Sequence, residues 1–371
     1  MENPYLLIIV VSSCCGLAAG FLMHRANFCV AGAFRDLFLL RNGLMLRCLL
    51  LLVVASMVLF QLGLSTGLLS HYPFPILAPP SWTNLVGGML FGVGMVLAGG
   101  CVVGTLYKMG AGSMLSIVAF VGLLVGSVAY APIHPWWSGI AGQWSLGTTA
   151  ITLPQWLSLH PALLTTPLIV LGASLLWHFW RRGTLRYKHH LPGSIQPMHA
   201  ALGLAAVGML SYALVGMPLG ITTSYAKWGA LLIEPLAADF VAAQAFFQTT
   251  PVQYTPPLAS VEIHGGAGPG FDGIAAIQYP LIIGITLGGF TSAWLLRAWH
   301  IHYRLPWRQY VSALLGGILL GLASRMVPGC NIWHLWGGLP ILALQSMLFL
   351  VGILPGAWLG SKLLSRVVLR I

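Results

Sequence analysis

Long apolar runs, separated by short connections that carry the charged residues, dominate the chain. Each run has about 20 residues, enough for a helix to cross roughly 30 Å of hydrocarbon. The sequence has no succession of short alternating strands, which a membrane β-barrel would need. It therefore predicts an all-α polytopic membrane protein. Nine spans are predicted, at 4–23, 45–69, 82–98, 113–132, 161–180, 198–216, 276–296, 309–326 and 341–361.

Composition agrees with a membrane location. Apolar residues make up 58% of the 371 positions and charged residues 6%, against about 25% charged residues in a soluble domain. The opening MENPY lacks the basic region of a signal peptide, so we expect the first apolar run to remain as a span. We expect one transmembrane domain, made of an N-terminal repeat (1–133), a linking span with its loops (134–197) and a C-terminal repeat (198–371).

The net charge of +11 is unevenly distributed along the chain. With nine spans, basic residues of the short connections such as Arg41, Arg181 and Arg304 fall on one side, which the positive-inside rule identifies as the cytoplasm. The acidic residues of the long 234–275 connection fall on the other side. This predicts an outer N-terminus and a cytoplasmic C-terminus. The basic residues form no face of a soluble domain, so nucleic-acid binding is not expected.

A repeated order of spans and glycine-containing breaks divides the chain into halves. Each half has a span, a break, two spans, a break with a Gly-Cys pair and a further span. The odd span between the halves would place their breaks on opposite sides of the membrane, as in the inverted repeats of many transporters. The breaks are RANFCVAGAFRD (25–36), AGGCVVGTLYKMGAG (98–112), MPLGITTSYAKWGA (217–230) and RMVPGCNIWHLWGG (325–338).

Broken helices expose backbone groups that lipid cannot satisfy, so they survive only inside protein or beside a water-filled cavity. A helix that restarts after a break directs its N–H groups at the gap, where they favour an anion. We therefore predict a path for a small anion, built from backbone and side chains at the breaks. Besides cysteines, its predicted residues are Gly99, Gly100, Gly104, Gly329, Asn331, Thr222 and Thr223.

Three of the six cysteines, Cys29, Cys101 and Cys330, lie within breaks. The other three lie on plain apolar spans, where a free cysteine behaves as a small hydrophobe. No cysteine belongs to a zinc-type pattern, so no metal and no cofactor are expected. A thiol is a weak hydrogen-bond donor, which suits an anion that must leave its site as well as bind to it.

Basic residues near the breaks, together with His334, form a second set of candidates. Arg25, Lys108, Lys227 and Arg325 would attract an anion towards either mouth, although such side chains also snorkel to lipid headgroups. His334 has the simpler alternative of satisfying a helix end. No Asp or Glu lies in the middle of a predicted span, which argues against a cation or proton-coupled carrier.

The blocks RANFCVAGAFRD, VLAGGCVVGTLYKMGAG and VPGCNIWHLWGG resemble those of the YeeE/YedE family of bacterial inner-membrane sulfur-compound transporters. The resemblance covers nearly the whole chain. It implies nine spans in two pseudo-symmetric halves and uptake of thiosulfate, with key contacts from the thiols of Cys29, Cys101 and Cys330. It implies a transporter rather than an enzyme.

Two alternatives stay open. In the first alternative, the protein transports a selenium-containing anion, sulfide or sulfite. In the second, the protein is a membrane sulfurtransferase that accepts sulfane sulfur as a cysteine persulfide. The second alternative needs an accessible thiolate. A small cytoplasmic sulfurtransferase is a partner to expect, because the product would arrive on that side.

Overall fold

The structure, a computed structural model, describes residues 5–186, 193–259 and 262–369. The first predicted span begins at residue 4, which lies outside the described residues. Within them the chain forms sixteen α-helices and a two-stranded antiparallel hairpin, β1 (Val252–Tyr254) and β2 (Ile263–Gly265). The helices are α1 (Leu6–Arg25), α2 (Val30–Leu40), α3 (Leu44–Ser65), α4 (Thr83–Leu97), α5 (Val102–Gly110), α6 (Met114–Ala129), α7 (His134–Gln143), α8 (Leu153–Trp156), α9 (Pro161–Arg181), α10 (Pro197–Val215), α11 (Thr222–Ile233), α12 (Ala238–Ala243), α13 (Ala245–Gln248), α14 (Gly273–Leu295), α15 (Trp307–Met326) and α16 (Leu344–Leu363).

Shorter helical turns complete the backbone. Turns of 3₁₀-helix lie at Ala131–Ile133 and Leu339–Ile341, and π-helix lies at Ile332–Gly338 and Leu364–Leu369. The π-helix Ile332–Gly338 begins one residue after the Gly-Cys pair of the C-terminal half, with Asn331 between them. π-Helical turns are rare and often lie at functional sites.

The all-α membrane fold predicted from the apolar runs is confirmed. Eight helical segments of the described residues are long and apolar enough to cross a membrane. The remaining predicted span, 309–326, is present as α15, a 20-residue helix that is not among the eight. Arg308, Gln309 and Tyr310 at its start and Arg325 at its end reduce its apolar character. The eight segments are Leu6–Leu40, Leu44–Ser65, Thr83–Gly110, Met114–Gln143, Pro161–Arg181, Pro197–Val215, Gly273–Leu295 and Leu344–Val368.

Close helix packing explains how α15 is accommodated. It lies against α4 and α6, and glycines make the contacts. A Cβ at Gly126 of α6 would collide with the carbonyl oxygen of Ile318 in α15. The α1–α14 pair packs in the same way, since a Cβ at Gly20 would collide with the carbonyl group of Ile285. Such small-residue contacts let backbones approach closely in membrane bundles.

Helix contacts recur between the two halves. α1 packs on α14 and α10 packs on α3, while α4 packs on α16 and α15 packs on α6. Likewise α2 contacts α16, and α11 contacts α6. Each contact therefore has a counterpart when α1–α6 are matched in order with α10, α11, α14, α15, the Ile332–Ile341 turns and α16. The inversion of the halves across a membrane and the boundaries 1–133, 134–197 and 198–371 stay predictions.

Four chain segments interrupt the helices where the sequence predicts breaks. We call them the first break (26–29), the second break (98–101), the third break (216–221) and the fourth break (327–330). Each contains one residue with positive φ, a conformation that ends a helix without continuing it. These residues are Asn27 (φ 49°), Gly99 (φ 72°), Gly216 (φ 86°) and Gly329 (φ 140°).

The long 234–275 connection folds back onto the third break. The Tyr254 hydroxyl of β1 donates a hydrogen bond to the Val215 carbonyl oxygen at 3.0 Å. The Tyr254 ring and Pro257 also lie beside Gly216. Lys227 of α11 contacts the same connection through Asp272 at 2.7 Å. The connection therefore covers the third break and α11.

Candidate functional site

Two thiols from separate breaks meet beside one glycine. Cys29 precedes α2 and Cys101 precedes α5, both in extended conformation. A Cβ built on Gly104 would lie 3.0 Å from the Cys29 sulfur and 3.3 Å from the Cys101 sulfur. The two thiols are also within hydrogen-bonding reach of each other. Both side chains are almost completely buried. Gly104 thus leaves the space in which the two sulfurs come together.

Local capping fixes the position of Cys101. Gly99 turns the chain with positive φ, and the backbone N–H of Gly104 donates to the Cys101 sulfur at 3.3 Å. The Thr105 hydroxyl donates to the Cys101 carbonyl oxygen at 3.0 Å. Gly100 lies against Thr105 in the following helix. The thiol therefore stands at the start of α5, where backbone N–H groups are unsatisfied within the helix.

The fourth break places Cys330 in a similar setting. Gly329 precedes it with positive φ, and the N–H groups of Ile332 and Trp333 lie near its sulfur. The Cys330 carbonyl oxygen accepts from the His334 N–H at 2.9 Å. The neighbouring Asn331 directs its amide nitrogen to the Met95 sulfur of α4 at 3.5 Å. Cys330 lies in the neighbourhood of Cys101.

His334 is packed rather than free at a mouth. Its ring is completely buried and stacks on Phe349 at 4.3 Å between ring centroids. Its Nδ1 shares a hydrogen bond with the Ser346 hydroxyl at 3.0 Å. Its Nε2 has no hydrogen-bond partner among the described residues and faces Gly329. His334 therefore supports the backbone of the fourth break.

The third break has no cysteine. Ile221 occupies the capping position of α11, and Thr222 and Thr223 begin the helix. The Ser224 N–H donates to the Gln278 side-chain oxygen at 2.9 Å. Thr223 contacts Arg325, another predicted site residue, because the Arg325 guanidinium donates a hydrogen bond to the Thr223 hydroxyl at 3.5 Å. The structure thus brings the third and fourth breaks together.

Two buried tyrosines join the candidate site, and the sequence reasoning missed them. Tyr107 of α5 lies beside Cys29, and Tyr225 of α11 lies near both Cys101 and Cys330. Both side chains are fully buried. A tyrosine on a short helix that starts at a break is the signal that would have identified them, because a buried hydroxyl usually needs a partner.

Several buried polar atoms near the breaks have no hydrogen-bond partner among the described residues, as do others elsewhere, such as Ser56 Oγ and Ser361 Oγ. Leaving one buried polar group without a partner costs about 1–3 kcal/mol. Buried polar groups of this kind usually bind water or another polar partner. Without partners among the described residues are the Tyr107, Ser224 and Tyr225 hydroxyls, Arg325 Nε, Asn331 Oδ1 and His334 Nε2.

The basic candidates differ sharply in their partners. Lys108 donates to the Gly99 carbonyl oxygen at 2.8 Å and so caps the second break. The Arg25 guanidinium donates to the Gly193 carbonyl oxygen at 2.6 Å. Lys227 is buried, pairs with Asp272 at 2.7 Å and donates to the Gly268 carbonyl oxygen at 2.8 Å. Arg325 forms no ion pair within the described residues.

A cavity of about 730 Å³ approaches the paired thiols from one side. Its wall includes the basic side chains of Arg25 and Lys108 together with Tyr107, which lies next to Cys29. Three histidines, His24, His300 and His302, line it as well. The cavity therefore carries basic side chains in its wall and reaches Ala26 and Asn27 of the first break.

Metal chemistry has no ligand set in the described part of the chain. No group of three or more His, Cys, Asp or Glu side chains is placed to hold an ion there. All six cysteines are free thiols. The three cysteines at the breaks, Cys29, Cys101 and Cys330, are buried.

Comparisons with known proteins agree with one another. A family model described as Sulphur transport matches residues 25–359. The chain is 28% identical to the thiosulfate transporter TsuA of Spirochaeta thermophila, over 95% of this chain and 98% of that protein. It is 27% identical to the Escherichia coli protein of the same name, over 94% and 92% of the two chains. The probable transporter YedE of Salmonella typhimurium is 28% identical over 41% of this chain and 31% of its own length.

Proposed function

The chain belongs to the sulphur transport family, and on that premise we propose that it takes up thiosulfate across the bacterial inner membrane. It is a multi-pass membrane protein and a transporter of sulfur compounds, not an enzyme. The proposal adds the solute, the inward direction and the path. Relatives named as thiosulfate transporters over almost the full length support thiosulfate as the solute.

The observation that carries the proposal is the meeting of two thiols beside Gly104. Cys29 and Cys101 come from different breaks, and Cys330 of the other half lies near Cys101. Three weak sulfhydryl donors therefore stand close together between the two sets of breaks. Backbone N–H groups at the starts of α2 and α5 add positive potential there.

This arrangement suits passage rather than retention. A doubly charged anion held by several guanidinium groups would leave slowly, because conduction needs sites that are shallow enough to escape. Sulfhydryl donors exchange partners with little rearrangement, and a polarisable sulfur suits the terminal sulfur of thiosulfate. In the proposed mechanism the anion passes from thiol to thiol, with local movements of the breaks rather than a large rocking motion.

The halves are proposed to be related by an inverted repeat, which the paired helix contacts support. The first and second breaks then open to the cytoplasm, and the third and fourth open to the outside. The N-terminus lies outside and the C-terminus inside, as the basic connections favour. The basic cavity beside Arg25 and Lys108 is then the cytoplasmic mouth, where a small sulfurtransferase is proposed to receive the product.

Uptake of radiolabelled thiosulfate into proteoliposomes tests the function. The wild-type chain should accumulate thiosulfate, and Cys101→Ala should abolish accumulation. Cys14→Ala is a matched control, because Cys14 is an exposed thiol on α1 away from the breaks. Uptake that survives in Cys101→Ala would contradict the thiol path.

The same assay separates the alternatives for the solute. Selenium-containing anions, sulfite or sulfide that displace thiosulfate at equal concentration would favour one of them as the solute. Intact mass measured after exposure to thiosulfate tests the persulfide alternative. An added sulfur on the chain would support a covalent intermediate, and an unchanged mass supports non-covalent passage.

A further inference from the structure

Arg325 is the basic candidate whose side chain has no countercharge among the described residues. It lies in the last turn of α15, just before the fourth break. Its side chain is buried, with 8% of its surface exposed. The helix C-terminus supplies a partial negative charge there, equivalent to about half an elementary charge. A full positive charge in a buried site nevertheless needs a paired anion or a set of strong acceptors.

No carboxylate of the described residues supplies that partner. Asp36 pairs with Arg35 and Asp272 pairs with Lys227, while Glu262 lies near His264. The chain has six acidic residues in all, against seventeen Lys and Arg. Within the described residues Arg325 donates one long hydrogen bond, from Nη1 to the Thr223 hydroxyl at 3.5 Å. Its Nε is buried and has no partner among the described residues.

The surroundings of the guanidinium are polar but neutral. Thr223 begins α11 at the third break, and Tyr130 ends α6. Tyr130 and Cys330 are both close enough to interact with the Arg325 charge. The guanidinium therefore contacts the Thr223 hydroxyl and has Tyr130 and Cys330 in its neighbourhood. The Tyr130 hydroxyl also shares a hydrogen bond with His134. Hydroxyl groups and a guanidinium fork are well suited to the oxygens of a tetrahedral oxyanion.

We propose that Arg325 is the anchor of an oxyanion-binding site, with Thr223 and Tyr130 as further ligands, and that the anion docks there before it reaches the thiols. The inference rests on the proposed function and extends it by a site for the oxygen end of the solute. A divalent oxyanion supplies the negative charge that no carboxylate of the described residues provides. The guanidinium fork binds two oxygens at once, which a lysine ammonium cannot do in the same geometry.

Thermal unfolding of the purified protein in detergent, with and without thiosulfate or sulfate, tests the site apart from transport. Either anion should raise the melting temperature of the wild type, but not that of Arg325→Gln. Without an anion, Arg325→Gln should be at least as stable as the wild type, because it removes an unpaired buried charge. Arg325→Lys should keep a weaker response. Arg182→Gln, which removes an exposed arginine after α9, should behave as the wild type.

Uptake into proteoliposomes completes the test. At low external thiosulfate, Arg325→Gln should take up about tenfold less than the wild type, the loss that corresponds to one charge-assisted contact. The inference is overturned if Arg325→Gln unfolds at a lower temperature without anion, or keeps the full response to thiosulfate. The two proposals fail separately. A wild type that is stabilised by sulfate and thiosulfate but transports neither contradicts the proposed function and leaves the Arg325 site supported.

Discussion

The sulfur of Cys29 and the sulfur of Cys101 both border the space beside Gly104, although the two cysteines belong to different breaks. A side chain at position 104 would fill the space that they share. The backbone conformation at the starts of α2 and α5 therefore bears on the proposed transport, because a movement of either break moves a thiol. Several predictions depend on this arrangement of the two thiols.

Replacing Gly104 with alanine should impair uptake without impairing folding. The new Cβ would lie 3.0 Å from the Cys29 sulfur and 3.3 Å from the Cys101 sulfur, so both thiols must shift. Alanine favours a helix over glycine by about 1 kcal/mol, so α5 should be retained. We expect thiosulfate uptake to fall at least about tenfold, a cost of 1.4 kcal/mol. Uptake into proteoliposomes and the melting temperature measure the two effects.

Gly139→Ala is the control for that substitution. Gly139 lies in α7, and a Cβ there would meet nothing within 4 Å. It should keep wild-type uptake. Equal uptake by the wild type and both variants would show that the space beside the thiols is not used.

Substitutions at Cys101 should separate capping from transport. Serine is a good helix N-cap, so Cys101→Ser should retain the stability that the Gly104 N–H contact provides. Cys101→Ala removes the cap and should cost about 1 kcal/mol of unfolding free energy. Both should lose uptake, because neither carries a polarisable sulfur. Full uptake by Cys101→Ser would mean that a small hydroxyl can replace the thiol in transport.

The sequence identified the positions of the breaks but not the partners of their charges. Lys108 reaches Gly99 within one block, a local contact. Lys227 pairs with Asp272 across the long connection, which no local pattern reveals. Arg325 is basic like Lys108 and Lys227 and also lies near a break. It has no ion pair among the described residues. Only the tertiary structure distinguishes a charge that is already neutralised from one that is available.

Breaking the ion pair between Lys227 and Asp272 should destabilise the protein. Asp272→Asn keeps a capping side chain at the start of α14 but leaves the buried Lys227 ammonium without a countercharge. We expect the free energy of unfolding to fall by about 3 kcal/mol. This is at the lower end of the losses seen when a buried ion pair is broken, because Asp272 is partly exposed. Thermal unfolding of the purified protein measures it.

The double variant tests whether the charge is responsible. Adding Lys227→Met to Asp272→Asn removes the stranded ammonium and should recover most of the lost melting temperature. If the double variant is no more stable than Asp272→Asn alone, the loss comes from the cap or the hairpin contacts instead.

Gly329→Ala should be more damaging than an ordinary change at a positive-φ glycine. Its φ is 140°, and a Cβ would lie 2.6 Å from Trp333 Cδ1 and 2.7 Å from His334 Nε2. Gly67→Ala has a positive φ of 74° with nothing within 4 Å. The free energy of unfolding of Gly67→Ala should therefore fall only by the cost of a left-handed residue, about 1–2 kcal/mol. Equal melting temperatures of the two variants would argue against tight packing at the fourth break.

The overall fold was predictable because hydrocarbon length and helix length are linked, so apolar runs reveal spans directly. The span 309–326 was among those predicted and is present as α15, which packs against α4 and α6 and tolerates polar ends. The β-hairpin was not predicted. The hairpin of β1 and β2 lies in a connection rich in proline and glycine, where no apolar period marks short strands. Tyr107 and Tyr225 were also missed, although each lies on a short helix that starts at a break, and the structure shows that both are buried.

The most direct test is an experimental structure determined in the presence of thiosulfate. The account predicts density for the anion between Cys29, Cys101 and Cys330, within contact of at least two of the sulfurs. Density for thiosulfate at another place, with these three thiols packed against each other or against lipid, would contradict it.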